Sequence, residues 1–418
     1  MAQEAARAGG VDVGVGSRNP FSEPRYRMWW MASVVAGLGV GIQAVTVPLF
    51  IRDRVGEDER AIAIAAALIC QTLPGAILVL VGGVVADRVE RRRVLIRTYG
   101  VAAAVSLVYV VLAGADVRVI WPVFLLAAVV GSAGAFTNPA RQAMMPQLVR
   151  PHQIQNGAIF GTLAFMATLQ FGGPMLGGIS ADVAGLPAAF ALEVAMLAAA
   201  AVVFGRIETD RPVPTGRSVG ADLVEGVRYV RGHASLLGIL ALTTVPGVLV
   251  VGPFAVTVVL MVQDEFGAAD RWVGFLWGAF GGGIVVGSLL LSMVPLRRRG
   301  LLLASSLVFG PAFTLGYALA PGPVVGLGFL FLAGLTGPAI FVNFAVALLQ
   351  EYAERVMMGR VMSMYGLAFT ASVPFGYLQA GIQASLWGPR PTLLLSSMLC
   401  VGVGVLAVAF LRPVTRLR

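Results

Sequence analysis

The sequence predicts an all-α membrane protein with twelve transmembrane helices in two pseudo-symmetric six-helix bundles, and three observations carry that prediction. Hydrophobic residues make up 58% of the 418 and charged ones 12%, a balance that a water-facing globular surface does not tolerate. Twelve stretches are long and apolar enough to cross a hydrocarbon core of about 30 Å, which takes roughly 20 helical residues. The longest polar interruption, Arg206 to Ala234, falls after the sixth of them.

The stretches run 28–51, 61–86, 98–115, 119–140, 154–181 and 187–205 in the first half. In the second they run 235–262, 272–296, 300–320, 323–350, 361–387 and 391–411. Their Gly and Pro suit membrane helices, where both are commoner than in soluble ones. A closed β-barrel needs short segments of alternating polarity. Runs such as Ala198-Ala199-Ala200-Ala201-Val202-Val203 show none. The chain has no lysine, so its 30 basic residues are all Arg, and they set the orientation. With the N-terminus inside, the outer loops hold only Arg52, Arg54, Arg60, Arg118, Arg271 and Arg390, and the other 24 are cytoplasmic. That is the positive-inside bias, and it places both termini on the cytoplasmic side of the membrane, expected to be a bacterial cell (inner) membrane. The net charge of +9 therefore calls for no nucleic-acid partner, since anionic headgroups and topology account for it.

The expected organisation is a cytoplasmic tail (1–27), a first bundle (28–205), a linker (206–234), a second bundle (235–411) and a short cytoplasmic tail (412–418). The first tail is polar and Gly-rich, and the span after it is too long for a signal-peptide core. In the linker, Arg211-Pro-Val-Pro-Thr-Gly reads as extended chain. Asp222-Leu-Val-Glu225 then starts a short amphipathic helix, with Leu223, Val227 and Val230 on one face, expected on the inner membrane surface. Cys70 and Cys400 fall in spans and imply no disulfide. His152 and His233 lie in different loops and imply no metal site, and no cofactor is expected.

The two halves echo one another. Asp87-Arg88-Val-Glu-Arg91-Arg92-Arg93 follows the second span, and Arg297-Arg298-Arg299 follows the eighth. Met145-Pro-Gln147-Leu precedes the fifth span and Leu349-Gln350-Glu351 the eleventh. Each leads into a Gly-containing turn, Gly172-Gly173-Pro174 and Phe375-Gly376-Tyr377. Related halves with a site between them are a transporter architecture.

Gly83-Val-Val-Ala-Asp87-Arg88-Val-Glu-Arg91-Arg92-Arg93 closely resembles the signature between helices 2 and 3 of the major facilitator superfamily. The resemblance runs from about Arg25 to Leu411. It implies the major facilitator fold and a cytoplasmic latch between the halves, carried over to Gly83, Asp87, Arg88 and Arg91. Within the superfamily, Val45-Thr-Val-Pro48, the linker segment Asp222 to Val230 and Gly359-Arg-Val-Met-Ser-Met-Tyr resemble the enterobactin-exporter branch of siderophore and drug exporters. The shorter motifs are shared with macrolide-type effluxers. Gly173-Pro174-Met-Leu-Gly177-Gly178 in the fifth span resembles the pattern of exporters that work as antiporters, although the earlier Gly of that pattern is replaced by Leu169. The fourth span lacks the buried Arg of many proton-driven exporters, since Arg141 is expected at its cytoplasmic end.

One acid lies well inside a span, Glu193 in Ala191-Leu-Glu193-Val-Ala. A charge there costs about 2.5–3.5 kcal/mol on insertion scales, judged by the values for Asp, so Glu193 is the candidate for proton coupling. A structural carboxyl bonded to backbone or water is the alternative. Asp53 and Asp182 are secondary candidates, with a surface ion pair to Arg52 or Arg54 expected for Asp53. In the resembled fold helices 1, 4, 7 and 10 line the cavity, which points to Gln43, Asn343, Phe136 and Phe254. Gln170 joins them from the intramembrane amides. Neutral amides and aromatics suit an amphipathic organic molecule.

These features predict a monomeric secondary exporter whose partners are a small-molecule substrate, the proton and the lipid bilayer. The substrate is a siderophore- or drug-like compound moved by alternating access. An uptake permease of the same fold and a non-transporting receptor or scaffold are the alternatives. No Gly-rich loop ending Gly-Lys-Ser/Thr and no nucleophile–base set is present, so an enzyme is not expected.

Overall fold

The computed structural model describes residues 19–116, 118–209, 219–294 and 297–417, apart from the side chains of 79–88 and 219–224. Residues 1–18 of the N-terminal tail and the extended linker stretch 211–216 lie outside the described residues. The secondary structure of the described residues is all helical, and the long apolar helices form the membrane body.

The first half contains α1 (Pro24–Arg52), α2 (Glu57–Arg88), α3 (Arg91–Gly114) and α4 (Trp121–Met144). A continuous helical run, Pro151–Gly205, follows and is 55 residues long. At 1.5 Å per residue that is about 80 Å, more than twice a hydrocarbon core, so it must turn back. It does so at Gly185, whose φ of 81° and ψ of 165° are open to glycine and break the helix. The arms on either side are α5 (154–184) and α6 (186–205). Eleven apolar helical runs, one of them doubled, thus make twelve crossings among the described residues.

The second half contains α7 (Ala234–Glu265), α8 (Arg271–Met293), α9 (Arg299–Ala318), α10 (Pro323–Tyr352), α11 (Met358–Trp387) and α12 (Pro389–Phe410). The halves pair their helices in the same way. Within the first, α1 packs on α5, α2 on α4 and α3 on α6; within the second, α7 packs on α11, α8 on α10 and α9 on α12. Between them α2 meets α11 and α8 meets α5, which is again one relation applied twice. Glycines make these approaches possible, since packing in a membrane relies on small residues at the contact. Gly173 of α5 lies against Gly41 of α1, and at the equivalent seam Gly376 of α11 lies against Gly252 of α7.

The linker helix, Val219–Arg231, packs on α11. Glu225 pairs with Arg360 at 2.8 Å, and the Tyr229 hydroxyl accepts the Glu354 backbone N–H at 3.1 Å. Val230 is buried. The helix is thus bound to the second half, rather than resting only on the membrane surface as its apolar face suggests.

Candidate functional site

Close packing of α1 brings the site together. Gly39 lies against Met196 and Leu197 of α6, and Gly41 against Leu169 and Gly173 of α5, so Gln43 reaches the middle of the first bundle. There its Nε2 donates to Glu193 Oε1 of α6 at 3.0 Å. Ser106 Oγ of α3 lies 2.6 Å from the same oxygen and 2.9 Å from Ala102 O. Gln71 of α2 donates its Nε2 to Gln43 Oε1 at 3.0 Å. Four helices therefore contribute one hydrogen-bonded chain, Gln71–Gln43–Glu193–Ser106.

The carboxyl is 0% exposed, and its second oxygen, Oε2, has no partner among the described residues. Above it, Tyr109 stacks on Phe190 at 5.0 Å, with Phe50 edge-on at 5.9 Å, and these rings close the site towards the outer end. A buried carboxylate without a cation and with one bare oxygen costs several kcal/mol, whereas a neutral acid leaves only a weak acceptor unmet. The surroundings fit the neutral acid. Its O–H can donate to Ser106 Oγ, which passes its own hydrogen to Ala102 O.

A second buried charge escaped the sequence. Arg141, expected at the cytoplasmic end of the fourth span, is 1% exposed. Trp29 Nε1 donates to the Arg141 carbonyl at 3.2 Å, and Tyr26 donates to Gly157 O at 2.9 Å. These bonds pin the start of α1 over the end of α4 and the start of α5. The guanidinium stacks 3.8 Å from the Phe165 ring centroid, and Nε has no hydrogen-bond partner among the described residues. The one sequence signal was that the helical pattern runs past Pro139 to Met144, which leaves Arg141 inside a helix and not in a loop.

At the end that the arginine count assigns to the outside, ion pairs cross between the halves. Arg52 pairs with Asp270 at 2.9 Å, Arg60 with Asp264 at 3.4 Å and Asp182 with Arg271 at 3.3 Å. Asp53 pairs with Arg52, as the sequence suggested, and Gln263 donates to Asp270. Just beneath, Gly178 of α5 meets Gly274 of α8, and Gly381 of α11 meets Ala61 and Ala65 of α2. The two halves are closed against each other at this end.

The antiporter-like residues Gly173, Pro174, Gly177 and Gly178 are all buried, Gly173 and Gly177 against α1 and Gly178 against α8. A π-helical turn, Thr168–Gly172, precedes them. Of the latch residues, Gly83, Asp87 and Arg88 lie outside the described side chains, on the described backbone of α2; Arg91 is half-buried, its Nε without a partner among the described residues. The cavity candidates occupy five surroundings. Gln43 belongs to the polar chain, and Phe136 packs on the inner cluster of the first bundle. The Gln170 carbonyl faces Gly281 of α8, and Phe254 sits 4.7 Å from Trp277 and 4.8 Å from Phe280. Asn343 donates to Ser288 Oγ at 2.9 Å, tying α10 to α8. Beside Gln170, Phe171, Met175, Phe275, Ala279, Leu327 and Phe331 line an apolar groove of about 410 Å³ between α5, α8 and α10.

Mirrored six-helix halves joined by two equivalent seams define a membrane transporter of the major facilitator fold. A model of the family described as transmembrane secretion effector, MFS_3, matches residues 15–417, and the chain belongs to that family. Macrolide efflux protein A of Streptococcus pyogenes is 24% identical to it, over 90% of this chain and 93% of that protein. The multidrug efflux pump Tap of Mycolicibacterium fortuitum is 27% identical over 90% and 93%. Among solved structures, an auto-inhibited POT family peptide transporter matches with a TM-score of 0.72 at 13% identity, over 94% of this chain and 97% of that one. A bacterial homologue of the human lysosomal transporter Spinster matches with a TM-score of 0.68 at 12% identity, over 96% and 98%. At such identities the structures share the fold.

Proposed function

We propose that the protein is a secondary exporter that moves an amphipathic small molecule out of a bacterial cell in exchange for protons, by alternating access. The observation that carries the coupling is Glu193, a fully buried carboxyl with no cation near it among the described residues, hydrogen-bonded from α1 and α3. Such a group can hold a proton in one state of the bundle and release it when water reaches it in another. Residues 28–205 and 235–411 are the bodies that rock, 206–234 tethers them, and the termini lie in the cytoplasm of the inner membrane. Gly83, Asp87, Arg88 and Arg91 latch the cytoplasmic side when the outer side opens. The family description and the efflux relatives support export over uptake. Their names favour a drug-type substrate over a siderophore.

The test is transport in proteoliposomes under an imposed pH gradient, with erythromycin and ethidium as probes and a comparison of antibiotic susceptibility in cells. Gradient-driven movement should be lost in Glu193→Gln, while probe exchange without a gradient persists. Full gradient-driven transport by Glu193→Gln would remove Glu193 from the mechanism. Asp87→Asn should abolish both activities, and indifference to it would favour a scaffold.

A further inference from the structure

The polar chain does not end at Glu193. From the carboxyl of α6 it runs through Gln43 of α1 to Gln71 of α2, and α2 is the helix that meets α11 across the two halves. Each amide in the chain has its direction set by its neighbours. Gln43 turns its N–H to the carboxyl oxygen, so its own carbonyl faces α2 and receives the Gln71 N–H. A proton placed on the Gln43 side of Glu193 would demand the opposite: Gln43 would have to accept from Glu193 and donate to Gln71, and Gln71 would turn over in its turn. In the arrangement seen, a proton on Oε1 must point to Ser106, and one on the bare Oε2 leaves the Gln43 bond as it is. Ionisation would tighten the grip of Gln43 by making its bond charge-assisted.

We propose that Gln43 and Gln71 are positioning residues that convey the protonation state of Glu193 from α6 to α2, and so to the seam where Gly381 of α11 packs on Ala61 and Ala65. The proposal rests on the reading of Glu193 as the proton carrier. Gln71 is half-buried and Gln43 is buried, so the relay has an inner and an outer member. Gly131 of α4 lies directly against the Gln71 backbone and fixes the register of α2 at that point. Among the described residues, the titratable side chain facing Glu193 is Tyr109 of α3, whose hydroxyl donates to Val123 O at 3.3 Å. At the outer ends of α1 and α5, Arg52 and Asp182 are engaged with Asp270 and Arg271.

The test uses the full chain in lipid nanodiscs and needs no substrate. Spin labels at Asp58→Cys and Ala269→Cys, both exposed and on opposite halves, report the outer opening in a Cys70→Ser, Cys400→Ala background. Infrared titration follows the carboxylic C=O band that Glu193→Gln removes. In the parent chain the band and the label distances should change together with pH. In Gln71→Leu, and separately in Gln43→Leu, the band should still titrate while the pH-driven distance change is lost; Gln71→Asn, which keeps both an amide donor and an acceptor, should restore part of it. If the band titrates and both leucine variants keep the full distance change, the relay is overturned and Glu193 as proton carrier stands. If no titrating band belongs to Glu193, the proton reading fails and the relay with it.

Discussion

Gly178 of α5 and Gly274 of α8 meet backbone to backbone across the two halves: a Cβ added to Gly178 would lie 2.8 Å from the Gly274 nitrogen and 2.9 Å from its Cα. No rotamer change relieves a contact with backbone, so the outer closure depends on both positions staying bare.

Gly178→Ala should therefore disfavour the outer-closed state. Overpacking of this kind costs about 1–3 kcal/mol, some five- to 150-fold in a population ratio. Label distances across the outer ends should shift to longer values, and transport should fall while the chain remains folded. Gly402→Ala on α12, where a Cβ meets nothing within 4 Å, is the control and should change neither. Equal behaviour of the two variants would show that the seam is not a gate.

Arg141 offers a stability test. A buried guanidinium with no carboxylate among the described residues gains its stacking on Phe165 and a longer contact with the Trp29 ring, and replacing such a charge by an apolar side chain of similar length is neutral or stabilising by about 1–4 kcal/mol. Arg141→Met should unfold at the same temperature as the parent or higher, and Arg141→Ala lower, because it also leaves a cavity. A clear drop in the melting temperature of Arg141→Met would mean that the guanidinium has an ionic partner in the resting protein.

The membrane body was legible because a span is set by length and apolarity, properties that survive without knowledge of neighbours. The echoes were legible too: Gly173 and Gly376, matched by spacing, do pack at equivalent seams on α1 and α7. The inside of the first bundle was not. Gln43, Gln71, Ser106 and Glu193 lie on four helices and share no period, so nothing along the chain says that one carboxyl gathers them. Ser106 in particular is an ordinary helix serine until Glu193 faces it. Arg141 looked peripheral because its distance from the bilayer centre was counted along α4, while its burial comes from α1 and α5 folding over it.

The ion pairs at the two ends of the molecule differ in worth. The Arg52 side chain is 8% exposed and bonds Asp270 at 2.9 Å, whereas Arg25 and Glu208 pair at 3.4 Å with side chains 61% and 79% exposed. A double-mutant cycle on Arg52→Gln and Asp270→Asn should return a coupling of about 1–2 kcal/mol in the outer-closed state. The same cycle on Arg25 and Glu208 should return about 0–0.5 kcal/mol. Raised salt should weaken the second pair and leave the first nearly unchanged. A coupling near zero for Arg52 and Asp270 would reduce that contact to surface decoration.

Pro174 ties helix chemistry to movement. It has no N–H, so the carbonyls one turn earlier are freed from the regular α pattern, and the preceding turn widens to π. Those carbonyls face the glycines of neighbouring helices: Leu169 O lies against Gly41 of α1, and Gln170 O against Gly281 of α8. One side of the bend thus packs within the first half and the other across to the second. Pro174→Ala supplies the missing donor, which should draw these carbonyls back into the helix and straighten α5. A proline in a helix interior costs up to about 3 kcal/mol relative to alanine, so the variant should melt no lower than the parent. Transport should nevertheless fall, because the α5–α8 seam loses the contact that its bend provides. A variant that is more stable and transports normally would show that the bend serves packing alone.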